Sequence, residues 1–162
     1  MTSPLLQRCQ GLPVLELAEG ETLVTEGGRT GRLFVVVDGT FEVSFAGSRI
    51  AMITEAGTPI AEMSILLDTP HGATVTAARP SKVHVVEDAA EFLLSDREIL
   101  LEISRVLARR LNRLVGYLAD VKAQYGGEDG HLGLVDEVLS QLTFGEQATV
   151  EPGSERDPDP LY

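Results

Sequence analysis

Residues 23–45 read LVTEGGRTGRLFVVVDGTFEVSF, and this stretch decides the fold class of the chain. Its two apolar runs, Leu33–Val37 and Phe41–Phe45, are rich in the β-branched and aromatic residues that favour strands. In the second run apolar and polar residues alternate, which is the period of a strand with one buried face. Asp38-Gly39 lies between the runs and is typical of a two-residue hairpin turn. The stretch therefore predicts two strands joined as a hairpin.

Similar signals continue on both sides of this stretch. Arg49–Ile53 and Lys82–Val86 are further strand-like runs, and glycine-containing turns separate the runs between residues 13 and 87. The pattern lacks the alternation of strands and helices that builds a parallel sheet. Residues 1–94 are therefore predicted to form an antiparallel sandwich or barrel.

The hydrophobic period changes at Ser95, and a long helix is predicted over residues 95–124. Ser95 is a favourable N-cap, and Asp96 and Glu98 suit the positive end of a helix. Apolar residues then repeat at intervals of four, three, four and three, which is heptad spacing. This heptad stripe consists of Leu107, Leu111, Leu114, Leu118 and Val121.

A second apolar stripe lies on the same predicted helix. It consists of Ile99, Ile103 and Val106, and it suits packing against the β-rich body. Because a helix with two apolar faces needs two partners, the heptad stripe predicts a symmetric homodimer. The alternative is that both faces pack within a single chain.

Two further segments follow the long helix. Apolar residues at helical spacing predict a short helix over residues 131–143, after a glycine-rich linker. The acidic, proline-containing stretch 145–162 is predicted to be a disordered tail.

Two segments resemble the signatures of one family, the cyclic nucleotide-binding domains. Residues 23–39 resemble its first signature, in which a glycine turn is followed by four apolar strand residues and by another glycine two residues on. Residues 60–77, IAEMSILLDTPHGATVTA, resemble its phosphate-binding cassette. The resemblance covers about residues 13–122. It implies a mainly β fold with α, namely an antiparallel β-roll or jelly-roll sandwich with the cassette, followed by a long dimerisation helix and a short C-terminal helix.

The resemblance also implies a ligand, cyclic AMP or cyclic GMP, and leaves the choice of base open. In the family, a glutamate of the cassette binds the ribose 2′-hydroxyl and an arginine pairs with the cyclic phosphate. Glu62 matches the glutamate, whereas His71 replaces the arginine and Ala61 replaces a glycine. The predicted ligand-binding residues are Ala61, Glu62, Met63, Ser64, His71, Gly72 and Ala73.

The cassette also suits an anion on physical grounds. A short helix that begins at Glu62 would offer unpaired backbone N–H groups and a positive dipole end to a phosphate. The alternative interpretation is that Glu62 only caps the local backbone.

The exchange of arginine for His71 predicts weak binding. Losing a charge-assisted pair costs about 1.5–3 kcal/mol, or roughly tenfold to a hundredfold in affinity. An imidazole with an ordinary pKa of about 6.5 becomes a phosphate partner when it is protonated, so one hypothesis is that binding tightens as the pH falls. The alternative is a loop histidine held by local hydrogen bonds, with no ligand.

The composition of the chain restricts the kinds of partner that it can bind. The net charge of −12 disfavours nucleic acid, and no apolar run is long enough to span a membrane. Cys9 is the single cysteine, which excludes an internal disulfide and fits the cytoplasm. The histidines lack metal-ligand spacing, and the sequence places no nucleophile–base arrangement, so neither a metal site nor an enzyme is predicted.

The leading prediction is a stand-alone sensor or adaptor domain without a DNA-binding module. It would bind a cyclic nucleotide weakly and signal through the long helix to a protein partner. The alternative is a ligand-free dimeric docking or structural module that retains the fold. A transcription regulator is disfavoured, because the residues after the long helix are few and acidic.

Overall fold

The structure is a computed structural model that describes residues 3–125 together with residues 135, 138, 139 and 142. The predicted short helix at 131–143 lies, apart from those four residues, outside the described part, and the predicted tail at 145–162 lies wholly outside it. The chain divides into two compact units, residues 1–106 and residues 107–162.

The first unit contains eight strands in two antiparallel four-stranded sheets, arranged in the orders β1-β8-β3-β6 and β2-β7-β4-β5. The predicted β-roll is therefore confirmed. The strands are β1 (Val14–Leu17), β2 (Thr22–Val24), β3 (Leu33–Asp38), β4 (Phe41–Phe45), β5 (Ser48–Ile53), β6 (Pro59–Ile60), β7 (Thr74–Ala77) and β8 (Ser81–Val86).

The core of the first unit takes apolar side chains from both sheets. Phe41 on β4 is fully buried, and alternate residues of β7, Val75 and Ala77, are buried beside it. β3 is different, because its first four residues are all buried, and helix α1 (Pro4–Arg8) contacts it. A strand that is covered on both faces has a continuous apolar run rather than an alternating one.

The predicted hairpin at Asp38-Gly39 is wrong. β3 and β4 belong to different sheets, so the chain makes a corner there instead of a hairpin. Gly39 has φ of 125°, and a side chain at this position would overlap Ser81. The Ser81 hydroxyl accepts a hydrogen bond from the backbone N–H of Thr40 at 3.1 Å. The two-residue hairpin lies at Ala46-Gly47 instead, where Phe45 pairs with Ser48.

Four helices lie within residues 3–125: α1, α2 (Glu62–Leu66), α3 (Ala89–Ser95) and α4 (Arg97–Tyr125). Ser95 is not the N-cap of the long helix, as the sequence predicted, but the last residue of α3. Asp96 is extended, and its Oδ1 accepts a hydrogen bond from the backbone N–H of Glu98 at 2.8 Å. Its Oδ2 pairs with the guanidinium of Arg8 at 2.9 Å. The carboxylate of Asp96 therefore bonds to both α1 and α4. The hydroxyl of Ser95 has no charge and could not form the ion pair with α1.

The two stripes of α4 differ in exposure. In the second stripe Ile99 and Ile103 are buried, in line with the prediction that they pack on the body, whereas Val106 is half-buried. In the heptad stripe, Leu111 and Leu114 are 42% and 46% exposed. Within the described part of the chain, no helix is both long and apolar enough to cross a bilayer.

Candidate functional site

The site begins at a left-handed residue. Ala61 has φ of 76° and ψ of 7°, a conformation that glycine adopts freely and that costs alanine about 1 kcal/mol. Helix α2 begins directly after it and carries Glu62, which is only 3% exposed. The predicted short helix of the cassette is therefore present, and a buried carboxylate lies in its first turn.

His71 lies beside α2 and is 5% exposed. Its Nδ1 is 2.9 Å from the Ser64 hydroxyl oxygen, and its Nε2 is 3.1 Å from the Thr30 hydroxyl oxygen. Both ring nitrogens are therefore bonded to hydroxyl groups of the chain. This geometry matches the alternative interpretation in which local hydrogen bonds hold His71.

The hydrogen bonds of Ser64 indicate the tautomer of His71. The Ser64 hydroxyl has a single proton, and the carbonyl of Ala61 at 2.9 Å is an acceptor for it. When the proton points to this carbonyl, the hydroxyl oxygen accepts from Nδ1, and Nδ1 carries the ring proton. In the neutral ring Nε2 is then an acceptor, and it receives the hydroxyl proton of Thr30.

The surroundings of His71 favour its neutral form. Burial lowers the pKa of the imidazole from its usual value of 6.5, because the charged form loses hydration. The ring is therefore neutral at pH 7 in the ligand-free protein.

The glycine turn, residues 27–31, is bonded to the loop that carries His71. The Gly27 N–H donates to the His71 carbonyl, and the His71 N–H donates to the Gly28 carbonyl, both at 2.8 Å. The guanidinium of Arg29 contacts Asp68 through its carboxylate at 3.2 Å and its carbonyl at 3.1 Å. The paired side chains are exposed and contribute little, so the backbone bonds and the His71 bonds hold the two segments together.

A cleft of about 380 Å³ lies between the glycine turn, α2 and the start of α3. Its size falls in the range of about 300–1,000 Å³ that is usual for small-molecule pockets. Its polar lining includes Arg29, Thr30, Ser64, Asp68, His71 and Glu87. Arg29 pairs with Asp68, and Glu87 pairs with Arg32 at 2.6 Å, so two of the three carboxylates that line the cleft are paired with an arginine.

The structure brings four of the seven predicted ligand-binding residues together. Ala61, Glu62, Ser64 and His71 lie on or beside the first turn of α2. The side chain of Met63 is 55% exposed. Gly72 is exposed and Ala73 half-buried, and both follow His71 toward β7.

Sequence reasoning missed the contribution of the glycine turn. The sequence indicates only a glycine turn between strands here, yet Thr30 and Arg29 of this turn both contact the cassette. The only sequence pattern that bears on this contact is the glycine pattern of residues 23–39. It predicts a sharp turn but does not predict that the turn contacts the cassette.

Metal ligands and the single cysteine are two further features to consider. The described residues contain no group of three or more histidine, cysteine or acidic residues that could hold a metal ion. Burial raises the pKa of Cys9 to about 11, so its thiol is protonated and unreactive at neutral pH.

The two sheets, the cassette and the helices that follow together define a β-roll domain. Residues 14–93 match the family model of the cyclic nucleotide-binding domain, and this part of the chain belongs to that family. None of the curated proteins matches the chain at a significant level.

Solved structures share the fold. The N-terminal domain of a transcriptional regulator from Streptomyces coelicolor is 27% identical, with a TM-score of 0.50, over 67% of this chain and 81% of that one. A transcriptional regulator from Thermotoga maritima is 17% identical, with a TM-score of 0.62, over 75% of this chain and 99% of that one. PKAR CBD2 with bound Sp-2Cl-cAMPS is 24% identical, with a TM-score of 0.52, over 67% of this chain and 74% of that one.

Proposed function

We propose that this chain is a sensor or adaptor that binds a cyclic nucleotide weakly and signals through α4 to a protein partner. In this proposal the Glu62 carboxylate binds the ribose 2′-hydroxyl, and the first turn of α2 faces the cyclic phosphate. His71 takes the place of a permanent cation. We infer a cytoplasmic location from the single, buried cysteine.

The conformation of Ala61 is the observation that carries this proposal. A left-handed alanine is strained, and strain of this kind persists where a specific geometry is required. Here the geometry turns the chain into α2 and places Glu62 in its first turn. Glu62, which matches the glutamate of the family's cassette, is thereby held in a buried position at the start of this helix.

The ligand-free docking module remains the second candidate, and the bonding of His71 favours it. Both ring nitrogens are satisfied within the chain, so a phosphate has to displace a hydroxyl partner before His71 can contact it. A module without a ligand requires no such exchange.

Nucleotide binding is expected to tighten as the pH falls below about 6.5. Burial lowers the pKa of His71 in the free protein, whereas a bound phosphate raises it, so binding takes up a proton. Affinity therefore rises as the pH falls from the bound-state pKa toward the lower free-state pKa, and it is flat above this window. Isothermal titration with cyclic AMP and cyclic GMP, at about pH 7.5 and about pH 6.0, measures this difference.

His71→Gln is the matched control, because it keeps a polar side chain but does not titrate. Its affinity should not change over the same pH range. Affinity of the unchanged protein that is flat from about pH 8 to about pH 5.5 would contradict the role of His71. Absence of heat and of thermal stabilisation at millimolar nucleotide would instead make the docking module the leading function.

The heptad stripe of α4 supports the proposal of a homodimer. Leu111 and Leu114 expose large apolar side chains at heptad spacing on this stripe. Apolar side chains at these positions are the usual contact of paired helices. A second copy of α4 would cover them symmetrically.

Leu114→Glu is expected to shift the protein from dimer to monomer at micromolar concentration. The substitution places two carboxylates near the symmetry axis, where the loss of apolar burial and the repulsion both oppose pairing. Sedimentation equilibrium measures the mass. Asn112→Glu adds the same charge about 200° around the helix and should remain dimeric. A monomeric unchanged protein would refute the proposed dimer.

A further inference from the structure

The hydroxyl of Ser64 connects two features on which the site depends. Its oxygen lies 2.9 Å from the carbonyl oxygen of Ala61, which can only accept, and 2.9 Å from Nδ1 of His71. Ser64 is 9% exposed and His71 is 5% exposed. Loss of the serine hydroxyl would therefore leave a buried N–H without its partner, which is costly because water does not readily reach it.

The other nitrogen of the ring has a different kind of partner. Nε2 bonds to the hydroxyl of Thr30, an exposed residue of the glycine turn that also lines the cleft. A surface hydroxyl is readily exchanged for a water molecule or a ligand oxygen, because the replacement forms an equivalent hydrogen bond. The two nitrogens of His71 therefore differ in their hydrogen-bond partners. The partner of Nδ1 is a nearly buried hydroxyl, whereas the partner of Nε2 is an exposed hydroxyl that a water molecule or a ligand oxygen can replace.

We propose that Ser64 is a positioning residue that holds His71 as the Nδ1–H tautomer, so that Nε2 is the nitrogen that gains a proton and changes its partner. On protonation, Nε2 takes a proton from solvent and becomes a donor, and Nδ1–H keeps its bond to Ser64. The Thr30 hydroxyl then turns and accepts from Nε2, or a phosphate oxygen replaces it. The contact with phosphate rests on the proposed function, whereas the tautomer and the site of protonation do not.

The charges around the ring are compatible with protonation at Nε2. The charged residues that line the cleft are Arg29, Asp68, Glu87 and Asp88. Asp68 and Glu87 each pair with an arginine, and Oδ1 of Asp88 accepts the N–H of Glu91 at 3.1 Å. Glu62 adds a buried carboxyl group on the same helix as Ser64. None of these groups changes the direction of the shift, because burial remains the cause that lowers the pKa of the imidazole.

Nitrogen-15 NMR of the ligand-free protein tests the proposal. At neutral pH we expect His71 to show a protonated Nδ1 and an unprotonated Nε2, and on acidification Nε2 should gain the proton. Ser64→Ala should give a mixture of both tautomers, and Ser64→Thr should restore the single one. Amide exchange at residues 62–67 should become about three- to tenfold faster in Ser64→Ala, because the bond to Ala61 is lost.

Ser81→Ala is the matched control, because Ser81 is 2% exposed and also bonds to backbone carbonyls, but it lies at the start of β8. It should leave the tautomer of His71 unchanged. A wild-type protein with the proton on Nε2 at neutral pH would overturn the proposal, even if Ser64→Ala does not fold. An unchanged tautomer in folded Ser64→Ala would overturn it too. Failure of cyclic nucleotides to bind would count against the proposed function alone.

Discussion

Replacing His71 with arginine is expected to tighten the binding of cyclic AMP or cyclic GMP by about tenfold to a hundredfold at pH 7.5. At this pH the wild-type ring is neutral, because burial lowers its pKa. Arginine supplies a permanent charge and two parallel donors to the phosphate. The hydroxyls of Ser64 and Thr30, which now face the imidazole, are acceptors that the guanidinium can also use. Isothermal titration measures the change.

The pH dependence of this gain in affinity distinguishes the effect of the arginine's charge from the effect of its shape. Because the wild-type histidine gains its own charge below about pH 6.5, the advantage of arginine should shrink there. His84→Arg is the control for net charge. His84 lies on β8 outside the cassette, and its Nδ1 is 3.3 Å from the carbonyl of Leu12. Equal gains in the two variants would show a nonspecific effect of charge, and no gain in His71→Arg would favour the docking module.

Much of the fold could be predicted from the sequence, because short-range patterns determine much of it. The alternation in Phe41–Phe45 and the apolar run from Leu33 mark strands through their own composition. Ile99 and Ile103 likewise mark the buried stripe of α4 through helical spacing. Each of these signals lies within a single element.

The two errors in the fold have a common cause. Asp38-Gly39 has the composition of a hairpin turn, but Ser81, more than forty residues further on, fixes it as a corner between the sheets. Ser95 is a good N-cap by composition, but Asp96 takes this role. Asp96 also pairs with Arg8, which lies at the other end of the domain's sequence. In both places a distant residue decides between local conformations of similar energy.

The site could be predicted only in part for the same reason. Ala61, Glu62 and Ser64 are close in sequence, so the cassette pattern identifies them together. The partner of Nε2, Thr30, is forty-one residues away from His71, and no periodicity connects the two. The sequence shows that a histidine replaces the family's arginine. It does not show which two hydroxyl groups form hydrogen bonds with the ring nitrogens of that histidine.

The corner between the two sheets should be highly sensitive to substitution. Gly39→Ala is expected to lower the free energy of unfolding by about 2–5 kcal/mol. Two effects add. An L residue rarely adopts φ of 125°, and the new methyl group would overlap Ser81, which is held at Thr40 and Arg79 by hydrogen bonds. Urea unfolding measures the loss as a lower midpoint with an unchanged slope.

Gly47→Ala is the comparison, because Gly47 has φ of 77° and no atom within 4 Å of the position that a side chain would take. It should lose only about 1 kcal/mol, the cost of a left-handed L residue. The difference between the two variants then combines the close approach to Ser81 with the higher backbone cost of φ of 125°. Equal losses would mean that Ser81 moves away easily and that backbone conformation alone requires glycine at the corner. A larger loss in Gly39→Ala would mean that the corner between the two sheets requires glycine more strongly than the hairpin at Ala46-Gly47 does.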